Sequence, residues 1–468
     1  MAGAATAGVE SGRASGTQGG PADPGEAQPV LTGSPEPVKR SAGSGGQPPG
    51  TPRRGTFSSL KVRNFRLFAT GQVISNTGTW MQRVAQDWLV LQLTHGSGVA
   101  VGLATGLQFL PLLLFSLWGG MIADRYSKRA VLMVTQASMG ALAVILGVLA
   151  ITGVVQPWHV YVLAFALGLA TVVDNPTRQS FAIEMVGKSD LQNAIALNSA
   201  VFNLARITGP AVAGLVIALV GTPTAFFVNA ASYVAVLIGL KIMRPAELRP
   251  AERVERAKGQ LREGLAYVWS RTDLLMTMVL VFFVATFGMN FGVTTALMSR
   301  VVFHTGAGKF GIASAVFALG ALIGALVAAR RAKTGLRMLV IVGLAFSLLT
   351  IASAFMPTYW LFLAILVPTG LTVIGFSTAA NASIQLNTPA DMRGRVMGIY
   401  MLMFLGGAPF GSTLTGWVAE QFGTRSAMAA GGIIAFVSTV VIGILVARAR
   451  GVPMRRYIRE TNLVRAFT

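Results

Sequence analysis

Two Arg–Asp pairs stand out in a chain that otherwise keeps charge out of its apolar runs. Arg83 and Asp87 lie four residues apart in Trp80-Met81-Gln82-Arg83-Val84-Ala85-Gln86-Asp87-Trp88. On a helix they share a face and can neutralise each other. Asp174 and Arg178 repeat the spacing around Pro176, which breaks the helix ladder and frees carbonyls, as is tolerated where backbone lines a cavity or packs on protein. Ionisable groups in such runs cost several kcal/mol and are seldom idle. For Arg83 and Asp87 two chemistries are open. Asp87 can take up a proton when its partner turns away, as coupling to a proton gradient requires, or the pair can be a static tie that fixes helix packing. Arg206 is a lone cation in its run; its partner is either a carboxylate of the first or fourth run or an anionic group on a substrate. Gln82, Gln86, Asn290, Asn381 and Gln385 are the polar candidates to hydrogen-bond a substrate, or simply another helix.

The elements that must hold these groups are membrane helices. The 468 residues are 53% hydrophobic and only 12% charged, with too little charge to cover a soluble protein of this length. At about 20 apolar residues per crossing there is room for about twelve spans plus loops. The runs fall at 66–94, 98–122, 130–153, 158–183, 193–219, 224–243, 274–297, 309–330, 335–356, 358–384, 395–419 and 426–447. The net charge of +21 points to nucleic acid at first sight, but its distribution argues against that partner. Cations crowd alternate loops, at Lys128 and Arg129, Lys241 to Arg262, Arg330 to Arg337, Arg393 and Arg395, and Arg448 to Arg459. The intervening loops carry almost none apart from Arg300, Lys309 and Arg425. This is the positive-inside pattern repeated along the chain, and it puts both termini on the cytoplasmic side.

With no Cys, and with His95, His159 and His304 scattered near loop ends, no metal site or thiol chemistry is expected. No nucleophile–base pair is evident and the phosphate-binding Gly-x-x-x-x-Gly-Lys-(Ser/Thr) loop is absent. An enzyme and a bound cofactor are therefore not expected.

Residues 1–55, rich in Gly, Pro, Ala and Ser, read as a solvated cytoplasmic tail with no cleavable signal. Segment 56–243 is one six-span half and 274–447 the other, with a basic linker at 244–273 and a C-terminal tail at 448–468. In the linker Leu261, Leu265, Val268 and Trp269 share one helical face, as in a helix lying on the inner leaflet. The halves echo one another weakly. Gly120 and Asp124 map near Gly324 and Ala328, and Gly209-Pro210 near Ala408-Pro409.

Gly120-Met121-Ile122-Ala123-Asp124-Arg125-Tyr126-Ser127-Lys128-Arg129 joins two long apolar runs. So short and charged a loop must be a tight hairpin at the cytoplasmic membrane surface. Its order resembles the loop 2–3 signature of the major facilitator superfamily, with Ser127 where that pattern usually has Gly. The resemblance covers roughly 60–450 and implies an all-α membrane protein of twelve transmembrane helices in two six-helix bundles, with substrate bound near the midplane between them. It further implies an inner gate built from Gly120, Asp124, Arg125, Lys128, Arg129 and Glu184. In that gate Glu184 would bridge to Arg125 or Arg129, and Asp124 would face the positive N-terminus of span eleven near Arg395. Arg178 resembles the span-four Arg tied to proton coupling in drug:proton antiporters; a structural pair with Asp174 near the inner vestibule stays equally open. Arg206, Gly209, Pro210 and Gly214 resemble an antiporter motif, Gly-Pro-x-x-Gly-Gly, in which Ala213 replaces the first of the paired glycines. That motif accompanies export. Asn175 to Gly221 and Pro389 to Gly398 look like the bacterial branch that holds enterobactin-exporter-like proteins, lysophospholipid-transporter-like proteins and actinobacterial multidrug pumps.

The expected function is a proton-coupled efflux pump in a bacterial cytoplasmic membrane, acting as a monomer by alternating access. Its substrate would be a small amphiphile such as an antibiotic, a siderophore or another metabolite. The rivals are a lysophospholipid flippase driven by its substrate's own gradient and a sensor or scaffold that transports nothing.

Overall fold

Every regular element is helical, and no strand occurs among the described residues. The computed structural model describes residues 58–248, 260–329, 336–389 and 391–449. The expected tail at 1–55 and nearly all of 448–468 lie outside the described residues, as do linker positions 249–259.

The first half comprises α1 (Arg63–Leu93), α2 (Gly98–Arg125), α3 (Lys128–Ile151), α4 (Pro157–Val220) and α5 (Thr222–Ile242). The long α4 is two spans, Pro157–Gly187 and Asn193–Val220, because Gly187 takes a positive φ of 69° that only glycine adopts cheaply and so breaks the ladder. The second half holds α7 (Thr272–Phe283), α8 (Phe291–Leu297), α9 (Ala307–Ala329), α10 (Leu336–Ala354), α11 (Tyr359–Leu386), α12 (Arg393–Gly406), α13 (Ala408–Phe422) and α14 (Thr424–Ala449). α7 and α8 form one crossing, Thr272–Val302, interrupted at Met289–Asn290 and widened by π segments at Val284–Gly288 and Met298–Val302. α12 and α13 likewise form one crossing, Arg393–Phe422.

Eleven of these stretches are long and apolar enough to cross a membrane. The twelfth expected span, α1, is 31 residues long but does not join them. It carries Arg63, Arg66, Arg83 and Asp87 besides a run of Asn, Gln, Ser and Thr, so its hydropathy falls short although its length does not.

One end of the helix assembly is basic, with Lys128, Arg129, Arg244 and Arg395; the other, at Ser97, Gly221 and Gly423, is nearly neutral. At the neutral end the two halves share a core of Trp88, Leu91, Val101, Ala213, Val293, Phe310 and Ala419. Two glycine seams close it. Along α2 and α13, a Cβ on Gly98 would lie 2.5 Å from the Gly416 carbonyl oxygen, and one on Gly106 would lie 2.9 Å from that of Pro409. Along the second span of α4 and α9, a Cβ on Gly214 would lie 2.9 Å from the Gly308 carbonyl oxygen, and one on Gly311 would lie 2.5 Å from that of Pro210. Only small residues let backbones approach this closely. The Glu420 carboxylate adds a polar latch across the first seam, accepting from Ser97 Oγ at 2.7 Å and Val99 N at 3.2 Å, where the positive start of α2 favours an anion.

At the basic end α6 (Gln260–Ser270) lies in the linker. Its expected single apolar face is divided. Val268 is buried, with Gly264 against Arg395 and Ile399 of α12, whereas Leu265 and Trp269 are exposed. The side chain of Leu261 lies outside the described residues. Glu263 ties α6 to α12 through Arg395 at 2.7 Å.

Candidate functional site

The α4 pair is enclosed in partners. Asp174 Oδ1 accepts from Thr135 Oγ1 and Gln136 Nε2 of α3, each at 2.8 Å. Asp174 Oδ2 accepts from Arg178 Nε at 3.0 Å and from its Nη2. The remaining Arg178 donor, Nη1, reaches Gln72 Oε1 and, at 3.4 Å, Asn76 Oδ1 on α1. Asp174 is almost wholly buried. This network joins three helices and neutralises its charges internally, which a buried ion pair requires if it is to persist.

The α1 pair is built differently. Arg83 and Asp87 share a helix face, and no direct ion pair joins them. Arg83 Nε is buried without a hydrogen-bond partner. Its guanidinium lies instead over the rings of Trp80 and Phe109, 4.8 Å and 5.6 Å from their centroids. Geometry explains the difference: the Trp80 ring, one turn back on α1, draws the guanidinium toward its face. The Asp87 carboxylate points the other way, toward the second half, where a Cβ on Gly292 of α8 would stand 3.9 Å from Oδ2. Arg206, on the second span of α4, has Nε and Nη2 buried and unpartnered. It stands between Phe202 and Gly209, and Gly209 leaves room for Trp80, whose Cβ would be 2.5 Å from a Cβ there.

The amide candidates divide. Gln82 Oε1 accepts from Asn229 Nδ2 of α5 at 2.5 Å, and Gln86 Nε2 donates to Gln108 Oε1 of α2 at 3.3 Å. Both are buried beside the α1 pair. Asn290 caps the break in its crossing, donating to the Thr286 carbonyl at 2.7 Å. Gln385 donates to Asn381 at 2.5 Å toward the basic end of α11 and is exposed.

At the 120–129 turn the expected bridge is relocated. Glu184 pairs with Lys128 Nζ at 2.5 Å, not with Arg125 or Arg129. Arg129 donates to the carbonyls of Leu240 and Lys241 at 2.7 Å and 3.2 Å, and Arg125 is exposed with Asp124 at the end of α2. Lys128 and Arg129 open α3, so their side chains turn back toward α4 and α5, whereas Arg125 closes α2 and does not. Both contacts therefore lie within the first half and bind its own helices together.

The family described as transmembrane secretion effector matches residues 54–452, which takes in every described residue. The chain belongs to the major facilitator superfamily. It is 27% identical to the staphyloferrin A transporter of Staphylococcus aureus, over 80% of this chain and 94% of that one. It is 28% identical to the multidrug efflux pump Tap of Mycolicibacterium fortuitum, over 77% of this chain and 90% of that one. In fold it resembles a bacterial homolog of the human lysosomal transporter Spinster in an inward-facing, occupied conformation, with a TM-score of 0.64 at 15% identity over 84% of this chain and 97% of that one. The chain is thus a multi-pass membrane transporter of the superfamily's efflux branch, not an enzyme. Among the described residues no group of three His, Asp or Glu could hold a metal ion.

Several site residues of this superfamily member escape a reading by charge and spacing. Trp80 and Phe109 lie against Arg83, and Phe202, one turn from Arg206, meets Trp80, yet aromatic residues in spans look like packing. Glu420 was legible only as a lone acid beside a neutral loop. Thr135 and Gln136 complete the Asp174 network from another helix, and no local signal marks them.

Proposed function

We propose that this transporter exports a small amphiphilic molecule, coupled to protons through Asp87. The observation that carries the reading is the α1 carboxylate: it lies on a 31-residue helix, has no ion pair, and faces Gly292 of the opposite half. A carboxylate so placed can gain or lose a proton as the halves move, whereas one locked in a network cannot. Asp174 and Arg178, the second proton-coupling candidates, belong with the framework in this reading. Arg83 is the switch partner, held off Asp87 by the Trp80 and Phe109 rings and free to turn toward it.

The cation distribution supports α1 as a twelfth span, both termini in the cytoplasm, and the basic end at the inner face of a bacterial cytoplasmic membrane. The neutral end is then the outer face, and the glycine seams with the Glu420 latch hold the transporter shut to the outside. Alternating access parts these seams and brings the halves together at the basic end, where Asp124 meets the positive N-terminus of α12. Gly214 of the antiporter-like motif lies in a seam, so that motif acts by setting how closely the halves approach. One chain suffices, and the cargoes for which the relatives are named, staphyloferrin A and multiple drugs, support an amphiphilic substrate.

The test is accumulation of an antibiotic and dye panel in a host stripped of its own pumps, with and without a protonophore. Wild type is expected to lower accumulation only while the gradient stands, and Asp87→Asn is expected to abolish this at equal surface expression. Equal gradient-driven efflux by wild type and Asp87→Asn would remove Asp87 from the mechanism.

A further inference from the structure

Arg206 is a partly buried cation to which the described spans offer no counter-charge. It lies thirteen residues from Asn193 and fourteen from Val220, the bounds of its span. At 1.5 Å per residue that is about 20 Å from either end, beyond the reach of an arginine toward lipid phosphates. Among the described residues α1 and the other crossings hold five carboxylates: Asp87, Asp174, Glu184, Asp273 and Glu420. The last two stand at span ends, Asp273 on Arg271 and Glu420 on Ser97 and Val99. Asp174 is consumed by Arg178, Thr135 and Gln136, and Glu184 by Lys128. Asp87 is one turn from Arg83, whose own charge is further eased by two ring faces. Arg206 has neither aid. Its Nε and Nη2 are buried and donate to nothing, a state that is unfavourable unless a ligand relieves it.

The surroundings describe that ligand. Phe202, one turn before Arg206, meets the Trp80 ring edge to face, with centroids 5.8 Å apart and planes at 69°. Gly209, one turn after, is the gap that admits Trp80. An arginine fork with free donors takes a carboxylate or a phosphate in a two-toothed grip, and an aromatic corner beside it takes a flat apolar body. We infer that Arg206 receives the anionic group of the transported molecule, with Trp80 and Phe202 walling its apolar part. The substrate class is an organic anion bearing an aromatic or similarly flat apolar moiety. This inference rests on the reading of the chain as a transporter of amphiphiles, and it is independent of proton coupling.

Purified full-length protein in nanodiscs, with no gradient, is titrated with 2-naphthoate, 2-naphthyl phosphate and methyl 2-naphthoate, and binding is read by calorimetry. The acid or the phosphate should bind about tenfold or more tightly than the ester, as a charge-assisted contact predicts; which of the two leads identifies the anion. Arg206→Gln should bring the anions to the level of the ester, Arg206→Lys should keep part of the preference, and Trp80→Leu should weaken anion and ester alike. Equal binding of anion and ester by wild type, no anion binding up to the solubility limit, or a preference that survives Arg206→Gln overturns the inference. The wild-type comparison needs no variant, so a misfolded Arg206→Gln leaves the test intact. A normal Asp87→Asn pump would defeat the coupling proposal and leave this one standing.

Discussion

On α4, Asp174 and Arg178 direct their polar atoms into α1 and α3, and each charge meets its partners. On α1, Arg83 and Asp87 have the same spacing but turn apart, one onto rings and the other toward the opposite half. The two pairs are alike in sequence and differ in company. Spacing along a helix decides which side chains share a face, but neighbouring helices decide whether they meet. A charge pair that three helices satisfy resists rearrangement, and one left unsatisfied at a seam has somewhere to go when the halves shift.

That contrast breaks most visibly at Asp174. Asp174→Ala leaves Arg178 buried without its carboxylate and should lower stability by about 3–5 kcal/mol, read by thermal unfolding in detergent. A loss under about 1 kcal/mol would make the two pairs equivalent. Next in size, Gly214→Leu overfills the α4–α9 seam, for which core overpacking suggests about 1–3 kcal/mol against the closed neutral end. The chain has no Cys, so a Ser97→Cys, Glu420→Cys pair can be cross-linked cleanly across the other seam. Its yield should fall when Gly214→Leu is added, and an unchanged yield would show that the seams do not move together. Lys128→Gln should cost about 1.5–3 kcal/mol, since its partner Glu184 is scarcely exposed, whereas Arg125→Gln should change stability by less than about 0.5 kcal/mol. The smallest effect sharpens the contrast. Asp87→Asn should shift the unfolding free energy by less than about 1 kcal/mol while removing gradient-driven efflux. A loss as large as that of Asp174→Ala would make Asp87 a framework residue.

Much of this was legible in the chain. Apolar runs located the crossings, and Gly187, whose φ only glycine takes cheaply, separates the two that α4 contains. The interruption at Met289–Asn290 was not legible, because Asn290 is a lone amide within a mostly apolar run and the close approach of Gly411 to Thr286 and Asn290 comes from another helix. At the site, charge in an apolar context singles out Arg83, Asp87, Asp174, Arg178 and Arg206 as the groups that need an explanation. Their partners lay on other helices and were hidden. Glu184 meets Lys128 because the first turn of α3 points that residue back at α4, a matter of direction that spacing does not encode.

The polarity of α1 has a consequence for how the protein is made. Charged residues near a helix centre each oppose entry into lipid by about 2.5–3.5 kcal/mol on insertion scales, and α1 carries Arg83 and Asp87 along with Gln72, Asn76, Gln82 and Gln86. The donors to its Gln72, Asn76 and Gln82 oxygens, Arg178 and Asn229, lie on helices synthesised long after it. On this account α1 does not settle in the bilayer by itself. It must wait at the translocon, or re-enter from the surface, until α4 and α5 arrive to shelter it. Glycosylation mapping of chains cut after residue 93 and after residue 243 reads that order directly. The short chain should fail to span and the long one should succeed, and full insertion of the short chain would refute a delayed entry.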